Sequence, residues 1–189
     1  MLKAISIFNR INTQLKPYAL EGTRCFVLMG VGDVIAQKFI EKKSLTEVDV
    51  VRTMKFASIG FFFIGPVLKY WYRAVDSMVS QNQHQTKRAL KKMLIDQSCC
   101  APVFPVAIMG ILGTMNGTGV EDFKSRVKAD YFQIMKNNYT IWPAAQMINF
   151  AFVPMHLQVV FVQLVAIGWN CYISLVVNKN AAKATKEAI

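Results

Sequence analysis

The sequence predicts an all-α membrane protein with four transmembrane helices, a short N-terminal amphipathic helix and an interfacial amphipathic helix before the fourth span. Of the 189 residues, 53% are hydrophobic and only 17% are charged, whereas a soluble domain usually carries about 25% charged residues. The apolar residues form runs long enough to cross a bilayer, which takes about 20 helical residues. Because no internal repeat or second domain is visible, residues 1–189 are expected to form a single membrane domain.

The N-terminal segment is basic and amphipathic. It has no acidic residue before Glu21, and Ile5, Phe8 and Leu15 lie roughly along one helical face. This pattern resembles a mitochondrial presequence and fits a short surface helix equally well. We expect the segment to be retained and its helix to end at Pro17, because the first span follows immediately.

The first predicted span, residues 18–39, is the most polar of the four. Glu21 and Arg24 are three residues apart and can neutralise each other on a helix. Asp33 and Gln37 are four residues apart and share a helix face. A span with this many polar groups is expected to face protein or water rather than lipid alone.

The second and third spans are predicted at residues 54–75 and 94–115. Proline removes a helix hydrogen bond, so Pro66 is expected to bend the second span and Pro102 the third. A polar connection follows each of these spans, and its position defines where the span is predicted to end.

The fourth predicted span, residues 149–177, is too long for one straight crossing, so Pro154 is expected to divide a short leading segment from the crossing itself. In residues 118–135, apolar side chains recur every three to four positions. Thr118 and Glu121 have the spacing of a capping box at its start. This segment is too charged to cross and is predicted to lie in the interface.

Polar residues within the apolar runs are the candidate functional residues, because an unpartnered amide or charge is costly in lipid. The set expected to line a polar path or pore is Asp33, Gln37, Asp96, Gln97, Gln146, Asn149, His156 and Gln163. The competing interpretation is that these groups satisfy one another between packed helices or cap kinks. The residues themselves favour neither interpretation.

No pattern predicts a catalytic, cofactor or metal site. The four cysteines have neither zinc-site spacing nor the density of a disulfide scaffold. Gly30-x-Gly32 lacks the rest of a dinucleotide fingerprint, and Gly60 and Gly65 are expected to be sites of close helix packing. We therefore expect neither an enzyme nor a bound cofactor or metal.

The chain is strongly basic, with a net charge of +11 and an isoelectric point of about 9.6. The basic residues lie mainly between the apolar runs and near the termini, where they can meet anionic lipid headgroups. The expected partners are membrane lipid and small solutes or ions, without direct nucleic-acid binding. Association into a homo-oligomer is left open.

Several segments together resemble one protein family. They are LMGVGDVIAQ, GPVLKYWY, LKKMLIDQSCCAP and NNYTIWPAAQMINFAFVPMH. They resemble the Mpv-seventeen family of mitochondrial and peroxisomal membrane proteins, which includes the 22-kDa peroxisomal membrane protein. The resemblance covers nearly the whole chain and is greatest to the mitochondrial inner-membrane member. By position, it implies that the kink and signature residues are Pro66, Pro102, Trp142, Pro143, Phe150 and Pro154.

The resemblance implies a weakly selective channel for ions and small metabolites in the mitochondrial inner membrane. Such a channel is expected to modulate membrane potential, reactive-oxygen handling and metabolite pools, including nucleotides, and so to affect mitochondrial DNA maintenance indirectly. The alternative function is a non-conducting membrane scaffold or organiser. The alternative location is the peroxisomal membrane. An alternating-access carrier is disfavoured because internal repeats are not visible.

Overall fold

The computed structural model describes residues 2–169, and every regular element in that range is helical. The prediction of an all-α protein is therefore confirmed. Residues 170–177, at the end of the fourth predicted span, and Cys171 lie outside the described residues.

Long helices dominate the described part of the chain. In order, they are α1 (Leu2–Ile35), α2 (Val50–Ile59), α3 (Gly65–Met78), α4 (Gln85–Ile95), α5 (Ala101–Met115), α6 (Val120–Phe152) and α7 (Gln158–Trp169). Within the same residues, π-helical turns occupy Ala36–Ile40, Gly60–Ile64 and Asp96–Cys100. The second π turn joins α2 to α3 and the third joins α4 to α5, which gives two continuous helical rods.

These two rods are the candidate membrane spans in the described residues. The first rod, Val50–Met78, has 29 residues and a mean hydropathy of 1.3, and the second, Gln85–Met115, has 31 residues and a mean hydropathy of 1.7. Only 28% and 6% of their most apolar windows are buried inside the protein. The core helix of a soluble protein would be mostly buried. We infer that most of the apolar surface of both rods faces lipid.

The N-terminal helix is longer than the sequence predicted. Helix α1 runs without a break from Leu2 to Ile35 and contains Pro17 in its interior. The prediction that a separate surface helix ends at Pro17 is therefore wrong. Proline lacks only one backbone donor, and the rest of this long helix retains its own hydrogen bonds.

The segment before the fourth predicted span also differs from expectation. Helix α6 is one helix from Val120 to Phe152, so the predicted amphipathic helix and the leading segment are continuous. Its N-cap is Gly119, without a side-chain cap, so the predicted capping box of Thr118 and Glu121 is not formed. The predicted division at Pro154 is confirmed, because α6 ends at Phe152 and α7 begins at Gln158.

One proline in each rod is preceded by a widened turn. The N–H of Gly65 donates to the carbonyl of Gly60, and the N–H of Ala101 donates to that of Asp96, both with the five-residue spacing of a π turn. Each turn ends two residues before a proline, Pro66 or Pro102. Because proline removes the ordinary four-residue bond, a π turn at this position keeps the helix continuous.

The chain divides into two compact units. Unit 1 comprises the described residues up to Lys69 and from Gln163 onward, and unit 2 comprises Tyr70–Val162. Unit 1 contains α1, α2 and the second π turn, and unit 2 contains α4, α5 and α6. Helices α3 and α7 each begin in one unit and end in the other.

Helix packing in unit 1 depends on glycine. A Cβ placed on Gly65 would lie 2.7 Å from the backbone of Gly22, and one on Gly60 would lie 2.7 Å from the carbonyl oxygen of Cys25. Side chains cannot approach backbone atoms this closely. The first rod therefore contacts α1 backbone to backbone, as small residues allow in membrane proteins.

Candidate functional site

The first cluster of predicted polar residues lies in unit 1, around the buried carboxylate of Asp33. The Nε2 of Gln37 donates to Oδ2 of Asp33 at 2.8 Å, and the hydroxyl of Thr53 donates to the same oxygen at 2.7 Å. The Nε of Arg52 lies 2.9 Å from the other oxygen, Oδ1. Asp33 is thus an ion-paired residue with both oxygens occupied.

Gln37 links the end of α1 to the start of α2. Its side chain is fully buried in the π turn that follows α1. Its Oε1 accepts the backbone N–H of Asp49 at 2.7 Å, and its Nε2 donates to the backbone carbonyl of Asp49 at 3.2 Å. This pair of bonds imitates a strand-like backbone pairing and holds the connection in place.

Arg52 is a central residue of this cluster that the sequence analysis missed. Besides Asp33, its Nη1 contacts Oε1 of Glu41 at 2.6 Å. Burial raises the pKa of Glu41, but hydrogen bonds from Arg52 and Lys43 outweigh it, so the net pKa lies below its ordinary value. Arg52 follows Asp33 at a distance in sequence that no helix periodicity relates, so the pair carried no local signal.

A second buried carboxylate in unit 1 belongs to Glu21. Its Oε1 contacts Nη1 of Arg24 at 2.9 Å and Nζ of Lys69 at 3.2 Å. The local pairing of Glu21 with Arg24 agrees with the sequence expectation, and Lys69 adds a second cation. Both acidic side chains of α1, Glu21 and Asp33, are therefore matched by basic residues from the first rod.

The second cluster of predicted residues lies in unit 2, around Asp96 in the third π turn. Three neutral N–H groups donate to its carboxylate: Trp71 Nε1 at 2.7 Å, Gln146 Nε2 at 2.9 Å and Gln97 Nε2 at 3.0 Å. The salt bridges formed by the described residues do not include Asp96. A buried carboxylate held only by neutral donors is uncommon, because burial of a charge normally requires a counter-charge.

The amides of α6 extend this second cluster. The Nε2 of Gln146 also donates to the hydroxyl of Tyr72 at 3.1 Å, and Nδ2 of Asn149 donates to Oε1 of Gln146 at 2.9 Å. Asn149 is fully buried and Gln146 is 4% exposed. The ring of Phe150 packs edge-on against Tyr72, with centroids 5.4 Å apart. Three helical segments of unit 2 thus converge on one hydrogen-bonded network.

Two acceptors in this network have no partner. The Oε1 of Gln97 and the Oδ1 of Asn149 are buried and accept no hydrogen bond from the described residues. Most buried polar atoms in proteins are satisfied, and exceptions require an explanation. The network therefore has spare oxygen ligands beside its carboxylate.

The second cluster includes aromatic partners that were not among the candidate residues. Trp71 and Tyr72 are typical of a membrane interface, yet here they donate to or accept from the buried network. Tyr139 was not singled out, and its hydroxyl donates to the backbone carbonyl of Gln97 at 3.0 Å. The sequence carries no local signal for the bond from Trp71 to Asp96, because the two residues are 25 positions apart.

The remaining predicted residues are distributed elsewhere. Gln163 is buried in unit 1 at 4% exposure. His156 is exposed in unit 2, in the bend between α6 and α7 that Pro154 begins. Trp142 and Pro143 lie within α6, whose helix continues past the proline. The structure thus gathers Asp96, Gln97, Gln146 and Asn149, and separately Asp33 and Gln37.

Chemically, the second cluster can bind water or a small ion. Amide groups offer both donors and acceptors, and the carboxylate adds a charge. The described residues contain no group of three His, Cys, Asp or Glu side chains that could hold a metal ion.

Comparison with known proteins supplies the relatives of this chain. The model described as Mpv17 / PMP22 family matches residues 113–174. The chain is similar to the mitochondrial inner membrane protein Mpv17 of Drosophila melanogaster, with 40% identity over 165 residues, or 87% of this chain and 98% of that protein. The proteins of the same name from Danio rerio and Homo sapiens are 45% and 37% identical, over 80% and 84% of this chain and 85% and 89% of theirs. No solved structure matches the chain.

Proposed function

Because this chain belongs to the Mpv17 / PMP22 family and lies in the mitochondrial inner membrane, we propose that it forms a weakly selective channel for ions and small metabolites there. A four-span topology is part of the proposal. The two rods supply the second and third crossings, and the segments that contain α1 and α7 supply the first and fourth. Such a channel would modulate membrane potential, reactive-oxygen handling and metabolite pools, including nucleotides, and so affect mitochondrial DNA maintenance indirectly.

The observation that carries the proposal is the network around Asp96. Its carboxylate has only neutral donors, and the acceptors Gln97 Oε1 and Asn149 Oδ1 are buried without partners. A cation or water passing this point would find carboxylate and amide oxygen ligands, while the amide N–H groups can serve an anion. Groups with both donors and acceptors suit a pathway of weak selectivity.

Conduction requires this network to open. Asn149 Nδ2 is held by Gln146, and Gln146 Nε2 is held by Asp96 and Tyr72. We propose that Gln146 and Asn149 exchange these partners for a solute in the conducting state. Since four helices enclose little lumen, passage of anything larger than an ion would require a homo-oligomer. The other partners in this proposal are membrane lipid and small solutes, without direct nucleic-acid binding or enzymatic activity.

A non-conducting membrane organiser is the second candidate. It is favoured by the ion pair of Asp33 with Arg52 and by the backbone contact of Gly65 with Gly22, which are features of a tightly packed bundle. In that function the polar residues would hold helices together, and the exposed apolar faces would contact lipid or other proteins. The two candidates differ in conductance.

Planar-bilayer recording of the purified chain tests the proposal. We expect channel openings in lipid of inner-membrane composition, and a lower single-channel conductance in Asn149→Leu, which removes one spare oxygen ligand. Asn137→Leu, on the same helix outside the network, is the matched control and should conduct like the unmodified protein. If the unmodified protein inserts but does not conduct, the organiser function is supported. If Asn149→Leu conducts normally but melts earlier, the amides serve packing instead.

A further inference from the structure

A cavity of about 390 Å³ lies in unit 2, and its lining contains neither Asp96 nor the side chains that donate to it. Phe150, which packs against Tyr72, forms part of its wall. It opens beside the break between α6 and α7, where the backbone of residues 151–155 forms part of its wall. The polar side chains that line it are Asp76, Gln83, Gln85, Arg88, Lys92 and Gln158. Small-molecule sites typically have volumes of about 300–1,000 Å³, so the cavity is large enough for a small ligand.

The charges in this cavity are unequal. Arg88 and Lys92 are four residues apart on one face of α4, and both pair with the same oxygen of Asp76. Arg88 Nη2 lies 3.3 Å from that oxygen, and Lys92 Nζ also contacts it. The Lys92 side chain is only 7% exposed. Two cations therefore share one carboxylate, and the lining has one positive charge in excess.

Two buried polar atoms of the residues that line this cavity are unpartnered. The Nε of Arg88 donates no hydrogen bond to any described residue, and Oε1 of Gln83 accepts none. An unused guanidinium N–H beside an excess positive charge matches the oxygen of an anion. An unused amide acceptor matches an O–H donor. A phosphate group that retains a proton supplies both, whereas sulfate and carboxylate ions supply only acceptors.

The cavity wall is also fixed by direct bonds. Gln85 donates through Nε2 to the backbone carbonyl of Ala151, and Gln158 donates to the carbonyl of Val153 at 3.2 Å. These bonds tie the start of α4 and the start of α7 to the end of α6. The cationic side chains therefore project from a constrained frame, which lowers the entropic cost of holding a ligand.

We propose that this cavity binds a phosphate-type oxyanion, with Arg88 and Lys92 as its cationic ligands. Asp76 holds both side chains when the anion is absent and competes with it when present. The phosphate group can belong to a soluble metabolite or to a phospholipid headgroup, because the cavity lies where the first rod ends, at Met78, and the second rod begins, at Gln85. This site is independent of the proposed conduction, and binding measurements test it without reference to channel activity.

The test uses the full chain in nanodiscs of phosphatidylcholine, titrated with inorganic phosphate at constant ionic strength and followed by calorimetry. We expect saturable binding that Arg88→Gln weakens at least about tenfold, the scale of one lost charge-assisted hydrogen bond. Arg88→Lys, which keeps the charge but lacks Nε, should be intermediate. Arg73→Gln is the matched control, because it removes an exposed charge outside the lining and should bind phosphate normally.

Asp76→Asn provides a test of opposite sign that does not depend on the Arg88 variants. Removing the internal competitor should tighten phosphate binding several-fold. Sulfate should bind more weakly than phosphate, because it cannot donate to Gln83.

A second arm distinguishes the two sources of phosphate. If Arg88-dependent thermal stabilisation occurs only in nanodiscs that contain phosphatidic acid, the site binds a lipid headgroup. The proposal is overturned if neither arm shows saturable effects, or if Arg73→Gln and Arg88→Gln reduce binding equally, which would indicate nonspecific attraction to a basic surface.

Discussion

The guanidinium of Arg52 forms an ion pair with the carboxylate of Asp33, and Nε of Arg52 lies 2.9 Å from Oδ1 of Asp33. The Asp33 side chain is 3% exposed, whereas that of Arg52 is 33% exposed and also reaches Glu41. The pair therefore connects a buried acid on α1 to the surface through one arginine. Removing Arg52 leaves the buried carboxylate of Asp33 without a counter-charge, which makes the pair a determinant of stability in unit 1.

We expect Asp33→Asn to lower the free energy of unfolding by about 1.5–3 kcal/mol, the usual contribution of hydrogen bonds to a charged group. Arg52→Gln should have an effect of at least this size, because it leaves the buried carboxylate of Asp33 without its cation. Thermal unfolding of both variants and of the double variant gives the coupling energy.

Asp130→Asn, at an exposed position of α6, controls for the change in net charge and should melt normally. If Asp33→Asn melts normally but alters the reversal potential in asymmetric salt, Asp33 belongs to the conduction path instead.

Acidification should reveal the contribution of Glu41. Its pKa in the folded protein lies below the ordinary value of 4.5, so its ionised form stabilises the fold above that pH. This contribution is lost as the pH falls through the folded pKa. Glu41→Gln should therefore melt earlier than the unmodified protein at neutral pH, and the difference should shrink under acid conditions. A difference in melting temperature that is independent of pH would contradict this role.

The close approach of Gly65 to Gly22 predicts a severe effect of one methyl group. Because the added Cβ would lie 2.7 Å from backbone atoms, Gly65→Ala must separate α1 from the first rod, at a cost of about 1–3 kcal/mol. Gly168→Ala is the matched control, since its Cβ would meet nothing within 4 Å. Thermal melting in detergent measures both. Equal melting temperatures would show that the helices are not in contact at Gly65.

Pro17 tests the continuity of α1. If the helix passes through this residue, Pro17→Ala restores one backbone hydrogen bond. The free energy of unfolding should then rise by at most about 3 kcal/mol, and the melting temperature should rise with it. Helical content measured by circular dichroism should not fall. A chain that instead breaks at Pro17 would gain nothing from alanine, and its melting temperature would stay constant.

The composition and the long apolar runs were sufficient to predict an all-α membrane protein, and Pro154 with the length of the last run was sufficient to predict the break after Phe152. The sequence was not sufficient for the helix ends near Pro17 and Thr118. A single proline or a capping pattern is a weak local preference that a long helix can override. The π turns were also not predictable, because their five-residue bonds leave no distinct hydrophobic period.

The sequence was sufficient to predict most of the polar residues in the clusters, but not which of them bond to residues of other helices. Asp33 with Gln37 and Gln146 with Asn149 have helical spacing, so their proximity was expected. The pairing of Asp33 with Arg52 and of Asp96 with Trp71 joins different helices. Such contacts depend on how the helices pack, which local spacing does not encode.

The bond from Trp71 to Asp96 leads to the final prediction. Trp71→Phe keeps an aromatic ring in place but removes the shortest of the three donors to a buried carboxylate. We expect the free energy of unfolding to fall by about 1.5–3 kcal/mol, because a hydrogen bond to a charged group is lost. Thermal unfolding followed by circular dichroism measures this loss without relying on tryptophan emission.

Tyr70→Phe is the control for Trp71→Phe, because Tyr70 neighbours Trp71 in sequence but is 67% exposed. Removing its hydroxyl should leave the melting temperature unchanged. Combining Trp71→Phe with Asp96→Asn sharpens the test, because the amide tolerates the lost donor better than a carboxylate does. The double variant should then lose less stability than the sum of the two single changes. Strict additivity would show that Trp71 acts at an interface with lipid and not through Asp96.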